Sequence, residues 1–131
     1  MRAEAQSYRP DLFAFFGTVY ARRMFGALGL FAGDAMVGIV VDDLIYLKTD
    51  EATRKDFIAE GTGPFVYRMR TGEEVSMSYY ELPERLYDEP EEFAEWVRRA
   101  YAVAENSPTV RRKRSVVKAR KAPARKKSAR A

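Results

Sequence analysis

Cysteine and histidine are both absent from this 131-residue chain. Without cysteine there are no disulfides, thiol nucleophiles or thiolate metal sites. Without histidine there is no imidazole acid–base chemistry, and with it goes the Ser-His-Asp triad. Hard cations need only oxygen ligands, yet the one suggestive pair of acids, Asp42–Asp43, reads as a solvated turn. No metal and no cofactor is therefore expected. Long apolar runs are missing too. Met36–Val41 falls far short of the roughly 18 apolar residues that mark a membrane helix. The opening MRAEAQSYRPD carries Glu4 and Asp11 and no apolar stretch of signal-peptide type. A soluble, cytoplasmic protein with no membrane partner is expected.

Acidic residues are absent from the last part of the sequence. Residues 1–106 hold all 19 Asp and Glu against 12 Lys and Arg, a net −7; residues 107–131 hold 11 Lys and Arg, a net +11. The overall charge of +4 averages two opposite regions. An apolar fraction of 47% is ordinary for a globular protein, and the length allows one hydrophobic core. The expected organisation is a folded body over 1–106 and a Lys/Arg/Ala/Pro-rich segment over 107–131. That segment has only Val110, Val116 and Val117 as strong hydrophobes, too little burial to offset the ordering of its backbone. It is expected to be disordered alone. Its composition suits sequence-independent contacts to nucleic-acid phosphates through Arg111, Arg112, Lys113, Arg114, Lys118, Arg120, Lys121, Arg125, Lys126, Lys127 and Arg130.

Within the body, Leu12, Phe13 and Phe16 follow helical spacing over 9–16, with Gly17 as a cap. VYARRMF then reads as a strand, on which Arg22 and Arg23 point to opposite faces and cannot both serve one ligand without a bulge. Gly26 and Gly29 lack the GK[ST] of a phosphate loop, so bends or bulges beside a short strand at Leu28–Phe31 are expected. Strands follow at Met36–Val41 and Leu44–Lys48; on the second, Leu44, Tyr46 and Lys48 face one way and Ile45 and Leu47 the other. Thr49 or Asp50 caps a helix that ends at Gly61 and buries Ala52, Phe57 and Ile58. Phe65–Met69 and Val75–Tyr80 form a hairpin, and Leu82–Pro83 opens a polar helical turn. The strongest helix runs from Glu91 to about Asn106, with Pro90 at its entry and Trp96 as its packing anchor. The fold class is α+β: an antiparallel sheet of about five or six short strands with flanking helices, in two layers.

RRMFGALGLF (Arg22–Phe31), MVGIVVDDLIYLKTDE (Met36–Glu51), PFVY (Pro64–Tyr67), VSMSYYELP (Val75–Pro83) and DEPEEFAEWVRRA (Asp88–Ala100) together resemble the N-terminal domain of the TfoX/Sxy family. The order and spacing agree over roughly Phe13–Ala104. The resemblance implies a compact α+β domain and no agreed catalytic residues. It also implies a link to bacterial competence, where name-giving members are thought to act with a cyclic-AMP-responsive transcription activator. Those members usually carry a second helical domain where this sequence has its basic segment. Arg22–Gly26 and Met77–Tyr80 match the family's early and later motifs, which mark either a packing core or an interaction face. Arg22, Arg23, Ser78, Tyr79 and Tyr80 are the candidate face.

Two functional classes lead. One is a nonenzymatic regulatory protein, DNA-associated through its basic segment. The other is a protein-interaction or homodimerisation module without direct DNA binding. An enzyme would have to work with carboxylate, tyrosine, serine or lysine groups alone.

Overall fold

The computed structural model describes residues 6–24, 26–108, 110–112 and 115–116. Among the described residues, seven antiparallel strands form one sheet in the order β1-β2-β3-β4-β5-β7-β6. They are β1 (Gln6–Ser7), β2 (Tyr20–Met24), β3 (Ala27–Ala32), β4 (Ala35–Val41), β5 (Leu44–Lys48), β6 (Pro64–Arg68) and β7 (Glu74–Glu81). Six of these are the expected short strands, and the two-residue β1 extends the sheet by pairing with β2. The helices α1 (Arg54–Ala59) and α2 (Pro90–Glu105) and a 3-10 turn at Glu84–Asp88 pack with the sheet. α2 lies across β4 and β5, giving the two-layer α+β arrangement.

The turns follow their residues. Asp42 and Asp43 both take positive φ, 52° and 67°, in the two-residue connection of β4 to β5. Acidic and amide side chains tolerate this left-handed region better than most. Gly26, at φ 81°, turns β2 into β3, while Gly29 sits inside β3 opposite Arg22. The expected glycine bend is thus found at Gly26, while the bulge beside this strand is not at a glycine. The register shifts after Leu30, because β4 spends an extra residue, Val37, between the partners of Leu30 and Phe31.

The core fills the space between sheet and helices. Phe13, Leu30, Val37, Ile45, Leu47, Leu82, Leu86, Phe93 and Val97 are fully buried. Phe93 meets Phe13 edge-on at 4.9 Å, and Trp96 meets Phe57 edge-on at 4.8 Å. Pro90 occupies the first turn of α2, where its missing N–H costs nothing, with Glu91 and Glu92 beside it.

Three local expectations are corrected. Residues 10–16 form successive turns rather than a regular helix, closed by Phe13 and Gly17 N–H groups donating to Arg9 and Phe13 carbonyls. So short a segment gains little from helical hydrogen bonds, and Leu12 and Phe13 are held by burial instead. α1 starts at Arg54, later than expected. Asp50 Oδ1 accepts the Thr53 N–H at 2.8 Å, and Thr53 Oγ accepts the Asp50 N–H at 3.0 Å, fixing the turn before it. α1 also buries only Phe57: Ile58 is exposed, since so short a helix can press one side chain into the core, and Ala52 lies exposed in the turn before it.

Beyond Asn106, residues 108, 110–112 and 115–116 are helical, and Val110 is buried with Ala35 and Ala104. The apolar contact of Val110 gives this beginning of the basic segment something to pack on. Arg111 and Arg112 are exposed. Lys113, Arg114, Lys118, Arg120, Lys121, Arg125, Lys126, Lys127 and Arg130 lie outside the described residues, as does Phe25 of the early motif. Among the described residues no helix is long and apolar enough to cross a membrane.

Candidate functional site

Strand alternation divides the candidate face. Ser78 and Tyr80 fall on one side of β7 and Tyr79 on the other, just as Arg22 and Arg23 are split on β2. Arg22 lies exposed with its guanidinium 5.2 Å from the centre of the Phe31 ring, a cation–π contact across the β2–β3 pair. Arg23 is exposed opposite Leu28. Ser78 joins β5 to β7. Its Oγ accepts from Lys48 Nζ at 2.8 Å, and its carbonyl accepts from the Thr49 N–H and hydroxyl at 2.8 and 3.0 Å. Tyr80 packs against the core near Phe57, with ring centres 6.0 Å apart.

Tyr79 is buried, with Lys48 Nζ 5.0 Å from its ring centre and its hydroxyl 3.5 Å from the Met36 carbonyl. Burial pushes its phenol up to about 12 and holds the Lys48 ammonium below its usual range. The five residues are thus brought to the same sheet but not to one point. Ser78, Tyr79 and Tyr80 are engaged in packing and strand-joining contacts, while both arginines are exposed.

A different feature occupies the sheet face away from the helices. A groove of about 410 Å³ runs across it. β3 and β4 contribute Ala27, Met36 and Ile39, with Leu28, which also packs against the main core, beside them; β6 and β7 contribute Phe65, Tyr67 and Met77. Apart from the Tyr67 hydroxyl its side chains are apolar, and two are methionines, which adapt to irregular partners. Phe65 leans on Tyr46 at 5.5 Å. Burial, Glu81 and Asp42 all raise the Tyr46 phenol. The signal for the groove was present in β4: AMVGIVV is apolar at every position, in both parities. Such a strand has two faces that avoid water, while the helices cover only one.

A second, wider cleft of about 510 Å³ opens between the end of β5 and the end of α2. Its charged groups are already occupied. Arg99 pairs with Asp56 at 2.6 Å, Lys48 donates to Ser78, and Asp50 accepts from Thr53. No group of three or more acidic residues that could hold a metal occurs among the described residues. Arg85 instead gathers Glu60, Glu89 and Glu92 at 2.7 to 2.9 Å, fastening the 3-10 turn to both helices. Hydrogen bonds from that guanidinium bring Glu92 down to about 2.

Comparison with curated protein sequences gives no match. The profile of the TfoX N-terminal domain, by contrast, matches residues 11–104, from the turns that carry Leu12 and Phe13 to the end of α2. That span contains the whole groove and most of the sheet, and the chain belongs to the TfoX N-terminal domain family.

Proposed function

We propose that this chain is a nonenzymatic regulatory protein whose body docks a protein partner in the groove, while its basic segment associates with DNA. The observation that carries the reading is an apolar groove on the uncovered face of the sheet. Apolar side chains lining a concave surface, with no convergent set of polar groups, suit recognition rather than bond-making. Family membership supports the regulatory role. Competence or transcription regulation is the process to which the resemblance to name-giving members points.

The nucleic-acid half rests on charge. The body is net −7 and is a poor phosphate-binding surface, whereas residues 107–131 carry 11 Lys and Arg and no acid. Duplex DNA titrated with the full-length protein at two salt concentrations is expected to show binding that weakens steeply with salt. A variant with the 11 basic residues of 107–131 changed to Gln loses that binding. Met77→Glu, in the groove, leaves it unchanged. Equal DNA affinity for the Gln variant sinks the DNA half. The acidic body and its groove then favour the second reading, a protein-interaction or homodimerisation module with no direct DNA contact.

A further inference from the structure

The two edges of the sheet are protected differently. β2 is covered by β1 at Tyr20 and Ala21 and carries Arg22 and Arg23 beyond that cover. A covering strand and charged side chains are both common protections against edge pairing. At the other edge β6 has no neighbouring strand among the described residues, and it presents Val66 at 46% and Tyr67 at 51% exposure. The one charge on β6, Arg68, is held by Glu74 of its own hairpin at 2.6 Å.

The backbone at this edge has a definite orientation. The Met69 N–H donates to the Glu73 carbonyl, back toward β7. Alternation along the β6–β7 ladder turns the N–H and C=O of Tyr67 the same way. Those of Val66 and Arg68 therefore point outward, where a further strand would lie.

The geometry points to β6 pairing antiparallel with β6 of a second copy of this chain, about a two-fold axis through Tyr67. Val66 of each copy then lies opposite Arg68 of the other, and the outward backbone groups of both residues are hydrogen-bonded. Neighbouring registers are worse. An axis through Val66 sets Arg68 against Pro64, which has no N–H to give. An axis through Arg68 sets two guanidiniums opposite each other. With the axis at Tyr67 the two tyrosines form a close, non-hydrogen-bonded pair, and the two grooves they line come side by side. This goes beyond the proposed function: the second copy binds at the strand edge and leaves each groove open to its own partner. A five-residue strand is about 17 Å long, so the contact falls below about 1,200 Å² and the dimer is weak and concentration-dependent.

A cysteine-free chain makes the register directly testable. In full-length Tyr67→Cys the paired Cα atoms sit about 4.5 Å apart, within disulfide reach. Val66→Cys and Arg68→Cys place theirs about 8 Å apart, outside it. Under mild oxidation Tyr67→Cys is expected to form covalent dimer at least tenfold faster than those two and than exposed Lys55→Cys on α1. Equal rates, or faster linkage at position 66 or 68, overturn the proposal. Sedimentation of the unmodified chain from micromolar to millimolar concentration should show monomer passing to dimer. Val66→Pro, which removes an outward N–H and no ladder bond, weakens dimerisation at least tenfold with its melting temperature little changed. A persistent monomer at every concentration also overturns the pairing. The docking reading is tested separately with anilinonaphthalene sulfonate: it fails if Met77→Glu does not reduce dye binding, whatever the oligomeric state.

Discussion

Gly38 lies where β4 leans into β5, and a Cβ there would stand 2.5 Å from the Tyr46 carbonyl oxygen. That neighbour is backbone within a paired strand, so it cannot swing aside. Gly38→Ala must push the two strands apart and is expected to cost about 1–3 kcal/mol, as overpacking does elsewhere. Urea unfolding followed by fluorescence of the single tryptophan, Trp96, reads it. Tyr79 makes a second residue-level test. Burial disfavours its phenolate and raises it from 10.0 to about 12. The neutral form is the one the fold prefers, so the stabilisation is complete below pH 10.0 and is lost as pH rises through about 12. Phenolate absorbance should therefore include a late phase near 12 that Tyr79→Phe removes. A titration in which that variant leaves the late phase intact assigns the shift to another tyrosine.

The same residues show what could be read at the scale of an element. α2 was legible because Phe93, Trp96, Val97, Ala100 and Ala104 repeat on one helical face, and all are buried against the sheet. The β6–β7 hairpin and the Asp42–Asp43 turn were legible because local chemistry fixes them. α1 was only half legible. Its apolar residues are neighbours in sequence, and burial depends on which of them meets Trp96, a fact set by tertiary position. The bulge at Val37 was hidden because it belongs to a pair of strands and not to either one. The groove was missed for a related reason: β4 shows two apolar faces, but only the sheet order places Phe65, Tyr67 and Met77 beside it. α1 gives the sharpest element-level prediction. Phe57→Ala should cost about 3–5 kcal/mol and alter Trp96 emission, because it removes the ring packed on that indole. Ile58→Ala, next in sequence and 56% exposed, should stay within about 0.5 kcal/mol. Equal costs for the two would place α1 differently on the core.

At the scale of the whole molecule, charge and apolar surface are separated along the chain. The groove lies within a body of net −7, and residues 107–131 carry +11. On the proposed function these are two independent instruments, one responding to apolar contact and the other to ionic strength. Each phosphate neutralised releases condensed counterions, and the observed binding constant falls with salt in proportion to the number of such contacts. A segment with 11 cationic side chains can reach about 6–10 phosphates, which corresponds to a loss of roughly 10³–10⁵ in affinity between 50 and 200 mM salt. Dimer formation through β6 has no such dependence, because its Arg68 charge is already satisfied by Glu74 and the remaining contacts are backbone and apolar. The two behaviours are read in one experiment: DNA titration and sedimentation of the full-length chain across the same salt series. DNA affinity should fall by several decades while the dimerisation constant moves by less than about threefold. A salt slope shared by both would mean that the basic segment itself holds the copies together, and the assignment of the interface to β6 would be lost.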